Sequence, residues 1–297
     1  MRWDPGHRSN DVIDRRGQRA SGISGGGGPG LGLLFMLVRS RFGWAGVAVL
    51  VVGYFVLTSF TGVLDSGGGG SQGSTQRAAA GDHAPPPGDD EATFVGAVLD
   101  DVQDTWAARS PLHGHPYRRA KLVLFTGATD TACGLGESAT GPFYCPRDEF
   151  AYIDLGFNRV LRDKLGAGGD FAQAYVIAHE IGHHVQHILG TSERIAHGRS
   201  ALGESGDSVR LELQADCYAG VWAHDSQRRD LLEAGDLEEA LTAAAAIGDD
   251  TLQRQGSGRV RPESFSHGSS AQRVRWFQRG YQSGDPDQCD TFAAAAL

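Results

Sequence analysis

The chain has 297 residues and a formal net charge of −9, and 40% of its residues are hydrophobic. This length allows one or two domains with a sizeable core. Nucleic-acid binding is excluded as a main function, because phosphate recognition needs a concentrated basic face. We therefore expect no nucleic-acid partner.

The first ninety residues differ in composition from the rest of the chain. Residues 1–41 are rich in arginine and glycine and too poor in apolar residues to fold, so we expect a disordered tail. Residues 42–64 run for 23 residues without a charge, which is long enough for one transmembrane helix across a lipid bilayer. Residues 65–90 contain glycine and proline runs that are typical of a flexible linker.

Two other interpretations of residues 42–64 are weaker. A secretory signal peptide usually has a shorter apolar region that starts earlier in the chain. A buried core helix does not fit, because sequence expected to be disordered flanks the run on both sides. Seven arginines precede the run, and the first charge after it is Asp65. Because positive flanks stay in the cytoplasm, we expect a single-pass membrane protein with its N-terminus inside and its later residues outside.

Residues 91–297 have the patterns of a folded domain that mixes helices and strands. Apolar spacing predicts a helix over residues 91–106, and runs rich in branched and aromatic residues predict strands over 121–125 and 150–154. Start and stop signals predict four further helices. These helices cover residues 171–189, 207 to about 224, 236–248 and 270–280, with capping boxes at Asp170–Gln173 and Asp236–Glu239.

A His-Glu-x-x-His motif lies in the middle of the helix predicted over residues 171–189. His179 and His183 are four residues apart, so both imidazoles project from one helix face and can bind one metal ion. Glu180 lies about 100° around the helix and stays free to bind water. An accidental polar patch on a surface helix is the alternative. It is weak because the rest of this helix is apolar, and burying these side chains without partners would be costly.

A zinc peptidase needs three protein ligands and one open position. The residues after the motif do not fit the metzincin spacing. His184 and His187 lie close by on the same helix, but His187, one further turn along, would strain a site with three ligands. Glu212 on the next predicted helix is the favoured ligand. Asp216 follows it by four residues and is expected to accept the N–H of a ligand histidine. Taken alone, an acidic pair with this spacing is more often a solvated helix face.

These linked motifs resemble those of a bacterial family of neutral zinc metallopeptidases and, more distantly, those of the Glu-zincins. Weaker similarity covers nearly the whole chain, including residues 139–146 and 265–270. The resemblance implies a zincin-like fold and proteolysis, and it specifies no substrate. Ser266-His267-Gly268 is similar to the Ser-His-Pro element that follows the glutamate helix in membrane-embedded Glu-zincins, with Gly268 in place of proline.

We therefore predict an α+β zincin-like domain over residues 91–297 that hydrolyses peptide bonds with Zn²⁺ bound by His179, His183 and Glu212. The zinc lowers the pKa of its water, and Glu180 takes the proton as the hydroxide attacks the peptide carbonyl. His267 is the predicted donor to the oxyanion. The other candidates for that donor are Tyr144, Tyr218 and His224.

The substrate is expected to be a peptide or protein that pairs with the edge of a small sheet by strand addition. The predicted edge residues are Ala151, Tyr152, Ile153 and Asp154. A membrane-tethered binding or assembly factor without catalysis, and a hydrolase of a non-peptide bond, are the alternative functions. No residue pattern favours either of them.

All four cysteines lie on the predicted outer side of the membrane. An even count in an oxidising compartment predicts two disulfides. Cys133 and Cys145 flank a glycine-containing loop and are natural partners, which leaves Cys217 with Cys289. Four free buried thiols are one alternative, and a cysteine-ligated zinc is another. The zinc alternative ranks low because no Cys-x-x-Cys spacing occurs.

Overall fold

The computed structural model describes residues 1–18, 20, 82–192 and 202–297. The predicted transmembrane helix at 42–64 and most of the predicted linker at 65–90 therefore lie outside the described residues. Within the described ranges, no helix combines the length and the apolar character that a membrane span needs. One compact unit comprises Met1–Ser21 and Gly81–Leu297, and its mixed helices and strands confirm the predicted α+β class.

A four-stranded sheet forms one part of the domain. Its strands in spatial order are β1 (Val12–Asp14), β2 (Lys121–Phe125), β6 (Phe150–Asp154) and β5 (Phe143–Cys145). β2 runs parallel to both β1 and β6, whereas β5 is antiparallel to β6. β3 (Ala128–Thr131) and β4 (Gly134–Glu137) form a separate antiparallel hairpin. The strands predicted over 121–125 and 150–154 are confirmed.

The N-terminal residues belong to the folded domain, so the prediction of disorder is wrong for residues 1–18. Val12 is buried and pairs with Leu122 of β2. Several of the polar residues that suggested disorder form ion pairs. Asp11 contacts Arg119 at 2.6 Å, and Arg16 contacts Asp89 at 2.6 Å. The composition gave a wrong prediction here because these charged side chains form ion pairs with residues that are distant in sequence.

The structure contains seven α-helices within the described residues. The five predicted helices are confirmed, with ends that differ from the prediction by up to four residues. α2 and α6 have no counterpart among the predicted elements. The helices are α1 (Asp90–Ala107), α2 (Gly156–Asp163), α3 (Asp170–Ile188), α4 (Asp207–Arg228), α5 (Asp236–Ala246), α6 (Asp249–Ser257) and α7 (Ser270–Ser283).

The predicted capping boxes of α3 and α5 do not form. Glycines occupy both N-cap positions, and neither helix has a side-chain cap. Asp170 and Asp236 instead accept hydrogen bonds from the amino group of Met1, at 2.8 and 3.4 Å. Glu239 accepts from the backbone N–H of Phe171 at 3.0 Å. These acidic residues therefore join the N-terminal segment and two helices, a role that local spacing could not predict.

Three helices approach one another closely because glycines face the neighbouring backbone. A methyl group on Gly182 of α3 would lie 3.0 Å from the Cα and carbonyl oxygen of Ala215 of α4. Added methyl groups on Gly220 of α4 and Gly280 of α7 would lie about 2 Å from the backbone of the facing helix. These crossings bring side chains of α3, α4 and α7 together at one place.

Both predicted disulfides are confirmed, and no cysteine is free. Cys133 follows β3 and bonds to Cys145 at the end of β5, which ties the hairpin to the sheet. Cys217 in the middle of α4 bonds to Cys289, which ties the C-terminal segment to the helices.

Removing the longer disulfide is expected to destabilise the domain more than removing the shorter one. Cys217 and Cys289 are 72 residues apart, so replacing both by alanine should lower the free energy of unfolding by about 4 kcal/mol through the larger entropy of the unfolded chain. Replacing Cys133 and Cys145, which are 12 residues apart, should cost about 3 kcal/mol. Urea denaturation without reductant measures both values, and the reverse order would contradict the prediction.

The Gly182→Ala variant tests the close crossing of α3 and α4. Its methyl group meets backbone atoms that cannot rotate away, so we expect a loss of about 1–3 kcal/mol in the free energy of unfolding. Gly256→Ala in α6 is the matched control, because nothing lies within 4 Å of its added methyl group. Alanine favours helix over glycine, so this control should unfold at an equal or higher temperature. Equal melting of the two variants would show that the crossing tolerates a side chain.

Candidate metal centre

The three predicted metal ligands meet where α3 and α4 cross. His179 and His183 of α3 both face Glu212 of α4. The Nε2 atoms of the two histidines lie 3.2 and 3.6 Å from the Glu212 carboxylate oxygens. One ligand atom from each of the three residues lies within 4.8 Å of the others. This group could hold one metal ion.

A buried network fixes the orientation of His179. Its Nδ1–H donates to Asp216 Oδ1 at 2.8 Å, which directs Nε2 towards Glu212. Asp216 is fully buried and accepts hydrogen bonds from two further residues. The Tyr175 hydroxyl donates to Oδ1 at 2.5 Å, and the Arg273 guanidinium donates to both carboxylate oxygens at 2.9 Å. The structure thus places Asp216 where the sequence predicted it, behind a candidate ligand.

The charged residues of this network shift one another's pKa values in the direction opposite to the effect of burial. Burial alone would lower the pKa of His179, but the neighbouring Asp216 and Glu212 outweigh it and raise the pKa to about 10. A metal ion bound at this histidine would compete with a proton. Burial would raise the pKa of Glu212, but His183 and His179 hold it well below its usual range. Arg273 likewise keeps the pKa of Asp216 low despite burial.

His183 is held by an amide instead of a carboxylate. Its Nδ1–H donates to Gln186 Oε1 at 2.8 Å. The Gln186 amide donates to the Leu211 carbonyl at 2.7 Å and to Gln214 Oε1 at 3.1 Å. Gln214 in turn donates to the Cys289 carbonyl at 3.0 Å. Two buried glutamines therefore connect this histidine to the disulfide at the C-terminal segment.

Glu180 lies beside the candidate ligands without being one of them. Its side chain is buried, and burial raises its pKa above the usual value for a glutamate. No hydrogen bond to its carboxylate occurs among the described residues. A carboxylate with a raised pKa and free lone pairs can accept a proton from a water molecule held at the metal position.

A cleft of about 780 Å³ opens over Glu180 and the three candidate ligands. One side is formed by residues 138–144, which include the start of β5. Residues of α2 and of the segment where α5 meets α6 also line the cleft. His267 also lines the cleft, so it lies in the same space as Glu180.

His267 is held at the cleft by Asp249, a residue that the sequence did not point to. The Asp249 carboxylate accepts the backbone N–H groups of Ser266, His267 and Gly268 at 2.7, 2.7 and 3.1 Å. It also lies 3.3 Å from His267 Nδ1, and this contact raises the pKa of His267. Gly268 has a φ of +89°, which proline cannot adopt. The carboxylate thus fixes a loop that proline stiffens in the resembling motif.

The other candidates for the oxyanion donor have their polar atoms directed elsewhere. Tyr144 lines the cleft, but its hydroxyl pairs with His184 Nδ1 at 2.9 Å. The other nitrogen of His184 donates to the Arg118 carbonyl at 2.7 Å, so Tyr144 is the donor in that pair. His224 binds the Tyr281 carbonyl at 2.7 Å. Tyr218 lines a different cavity of about 1000 Å³ near the C-terminal segment.

The predicted substrate-pairing strand is in the wrong place in the sheet. Residues 151–154 belong to β6, which pairs with β2 on one side and with β5 on the other. Ala151, Tyr152 and Ile153 are buried, so this strand has no open edge for a substrate. The edge strand beside the cleft is β5. It has only three residues, which is too few for the alternating pattern that identifies a strand.

The donor atoms of this centre fit zinc. Two imidazole nitrogens and one carboxylate oxygen are a common ligand set of catalytic zinc sites. The bonds from Asp216 and Gln186 turn both Nε2 atoms towards the third ligand, as a metal site requires. Another acidic group consists of Asp170, Asp236 and Glu239. The amino group of Met1 lies 2.8 Å from Asp170, so this group already has a cationic partner.

Comparison with known proteins gives a family for this chain. Residues 1–292 match the family described as "Putative neutral zinc metallopeptidase". Uncharacterized protein YpfJ of Escherichia coli K12 is 46% identical over 302 residues, which cover 98% of this chain and 99% of that protein. Uncharacterized protein Rv2575 of Mycobacterium tuberculosis H37Rv is 47% identical over 214 residues, which cover 68% of this chain and 71% of that protein. No solved structure matches. The chain therefore belongs to the neutral zinc metallopeptidase family.

Proposed function

We propose that this protein hydrolyses peptide bonds with a zinc ion held by His179, His183 and Glu212. The observation that supports this most is the convergence of the three ligand atoms within 4.8 Å, at the floor of a cleft that also contains Glu180. A structural metal site would have no need of a buried, unpaired glutamate facing an open cleft. This combination favours catalysis over a purely structural role.

Glu180 acts as the general base in this proposal. Zinc, when bound, acts as a Lewis acid on the substrate carbonyl and lowers the pKa of a coordinated water. Glu180 accepts a proton on its carboxylate and passes it to the nitrogen of the leaving amine. Its raised pKa suits both steps, because the protonated form must persist long enough to act as an acid.

His267 is the proposed donor to the oxyanion. Asp249 accepts from Nδ1, so the Nε2–H is left to donate into the cleft. The raised pKa keeps this imidazole protonated to a higher pH than an ordinary histidine. A fixed donor of this kind stabilises the negative charge that develops on the carbonyl oxygen.

The substrate is proposed to bind as an extended chain along β5 (Phe143–Cys145). Among the described strands, only β6 pairs with β5, so its other side is available for strand addition. Tyr144 ties β5 to the active-site helix through His184, which keeps this edge at a fixed distance from the ligands. Backbone pairing of this type accepts many sequences and orients the bond to be cleaved.

We also propose that the domain works in an oxidising compartment outside the cytoplasm. Two disulfides between all four cysteines support this location, because cytosolic thiols are kept reduced. Membrane attachment through residues 42–64 stays a prediction from the sequence, since those residues are not described. The predicted topology, with the N-terminus inside and the later residues outside, does not fit the pairing of β1 with β2 in one sheet.

Substitution of the two glutamates should separate metal binding from catalysis. We expect Glu212→Ala to lose zinc on dialysis because one of three ligands is removed. Glu180→Gln should keep one zinc per chain and lose turnover by at least about 100-fold, since its proton transfer is lost. Metal analysis and a fluorogenic peptide assay measure these outcomes, and Glu238→Gln on the exposed face of α5 is the control. Full zinc occupancy and activity in Glu212→Ala would rule out this ligand assignment and direct attention to His187.

The role of His267 predicts a change in the alkaline limb of the pH profile. The protonated imidazole donates, so activity should fall as the pH rises through its raised pKa. Asp249→Asn removes the charge that raises this pKa and should move the alkaline limb to lower pH. His267→Ala should keep zinc and lower kcat by about 10²–10³-fold. His113→Ala is the control, because His113 pairs with Asp287 at 3.0 Å outside the cleft. Activity of His267→Ala within twofold of the unsubstituted protein would exclude this donor.

A further inference from the structure

One side of the cleft is lined by apolar side chains that catalysis does not use. We call these residues the apolar wall. They come from α2, from the segment that follows α2, from α3 and from the region where α5 meets α6. The wall consists of Phe157, Val160, Leu165, Val176, Ile247 and Leu252.

The apolar wall begins next to the candidate metal ligands. Val176 precedes His179 by three residues on α3, so the two side chains lie on the same helix face, about one turn apart. Phe157 and Val160 have the same spacing on α2 and also line the cleft. A side chain of a substrate bound over His179 would therefore reach the wall without a long extension.

The surface of the wall is incompletely covered by the protein itself. Leu252 has 39% of its surface exposed, although it is a large apolar residue. Only two other large apolar side chains are this exposed among the residues that the structure describes, Leu135 and Leu202, and neither lines the cleft. Phe157, Leu165 and Ile247 pack against the core on one side and are only partly buried.

The charges around the wall disfavour a basic side chain. Lys164, which caps the C-terminal end of α2, lines the cleft beside Leu165, whereas the carboxylates that line it, Glu180 and Glu212, belong to the candidate metal centre. Lys164 is exposed and forms no ion pair with a described residue. A lysine or arginine of a substrate would therefore meet apolar surface and a like charge.

We infer that the apolar wall binds a large apolar side chain of the substrate, such as leucine or phenylalanine, close to the bond that is cleaved. This inference rests on the proposed peptidase function, because it assumes that a peptide occupies the cleft. Strand addition along β5 orients the backbone without selecting a sequence, so the wall supplies the selectivity that β5 lacks. Transfer of such a side chain from water to the wall gives a preference of about 10–100-fold over serine or aspartate.

The experiment measures binding apart from turnover. The zinc-loaded Glu180→Gln variant is titrated with fluorescent hexapeptides of alanine and glycine, in which one position is leucine, phenylalanine, serine, aspartate or lysine. That position is moved along the peptide. At one position we expect leucine and phenylalanine to bind about 10–100-fold more tightly than serine or aspartate. Equal affinities at every position would overturn the inference and indicate that the wall contacts something other than the substrate.

A matched pair of substitutions then locates the effect. Leu252→Asp, added to the same variant, should reduce the preference for leucine about tenfold and improve binding of the lysine peptide. Leu135→Asp places the same change at an exposed leucine outside the cleft. It should alter neither the preference for leucine nor the binding of the lysine peptide. Because both leucines are exposed, both variants should fold, which thermal melting checks. Identical behaviour of the two variants would overturn the assignment of the wall.

Turnover by the unsubstituted protein distinguishes this inference from the function on which it rests. A side-chain preference in binding, without cleavage of any peptide, would refute the proposed catalysis and leave the apolar site standing. Cleavage at equal rates for all five side chains would support the catalysis and refute the apolar site.

Discussion

The buried carboxylate of Asp216 is the interaction on which the candidate centre depends. It lies on α4 and is fully buried, and it binds Tyr175 and His179 of α3 and Arg273 of α7. A buried charge is tolerated only when its lone pairs and its charge are matched. Here the match comes from two other helices, so the carboxylate has its partners only when all three helices are packed. The orientation of a metal ligand is thereby coupled to the tertiary fold.

The two candidate histidine ligands donate hydrogen bonds to groups of different charge. This difference affects the net charge of the site. His179 donates to a carboxylate whose charge is neutralised by Arg273. His183 donates to the neutral amide of Gln186. Glu212 is then the carboxylate whose negative charge is left for the metal. A centre of this composition would attract a divalent cation.

The sequence predicted the parts of this centre that depend on short-range geometry. His179, Glu180 and His183 were identifiable because a spacing of four residues has a fixed meaning on a helix. Glu212 and Asp216 were identifiable because they repeat that spacing on the next helix. The pairing of the cysteines followed from their number and from one short loop. Five of the seven described helices and the two longer strands also followed, from apolar patterns and from start and stop signals.

The parts that were missed depend on contacts between distant segments. Asp249 begins a short polar helix, and nothing in its neighbourhood indicates that its carboxylate holds the loop at His267. β5 is too short to show a pattern, which is why β6 was taken for the edge of the sheet. Arg273 carries no local signal either, because its contact with Asp216 spans 57 residues. Ion pairs and strand order at such separations leave no local signal in a single sequence.

The pairing of β1 with β2 limits the paths that the whole chain can take. Residues 12–14 and 122–124 are neighbours in one sheet, so residues 1–18 and the catalytic domain must share a compartment. A single crossing of a membrane between them would separate the strand from its partner. β1 also precedes β2 by more than a hundred residues. The sheet can therefore form only after the chain has been synthesised as far as β2 and both strands are in the same compartment.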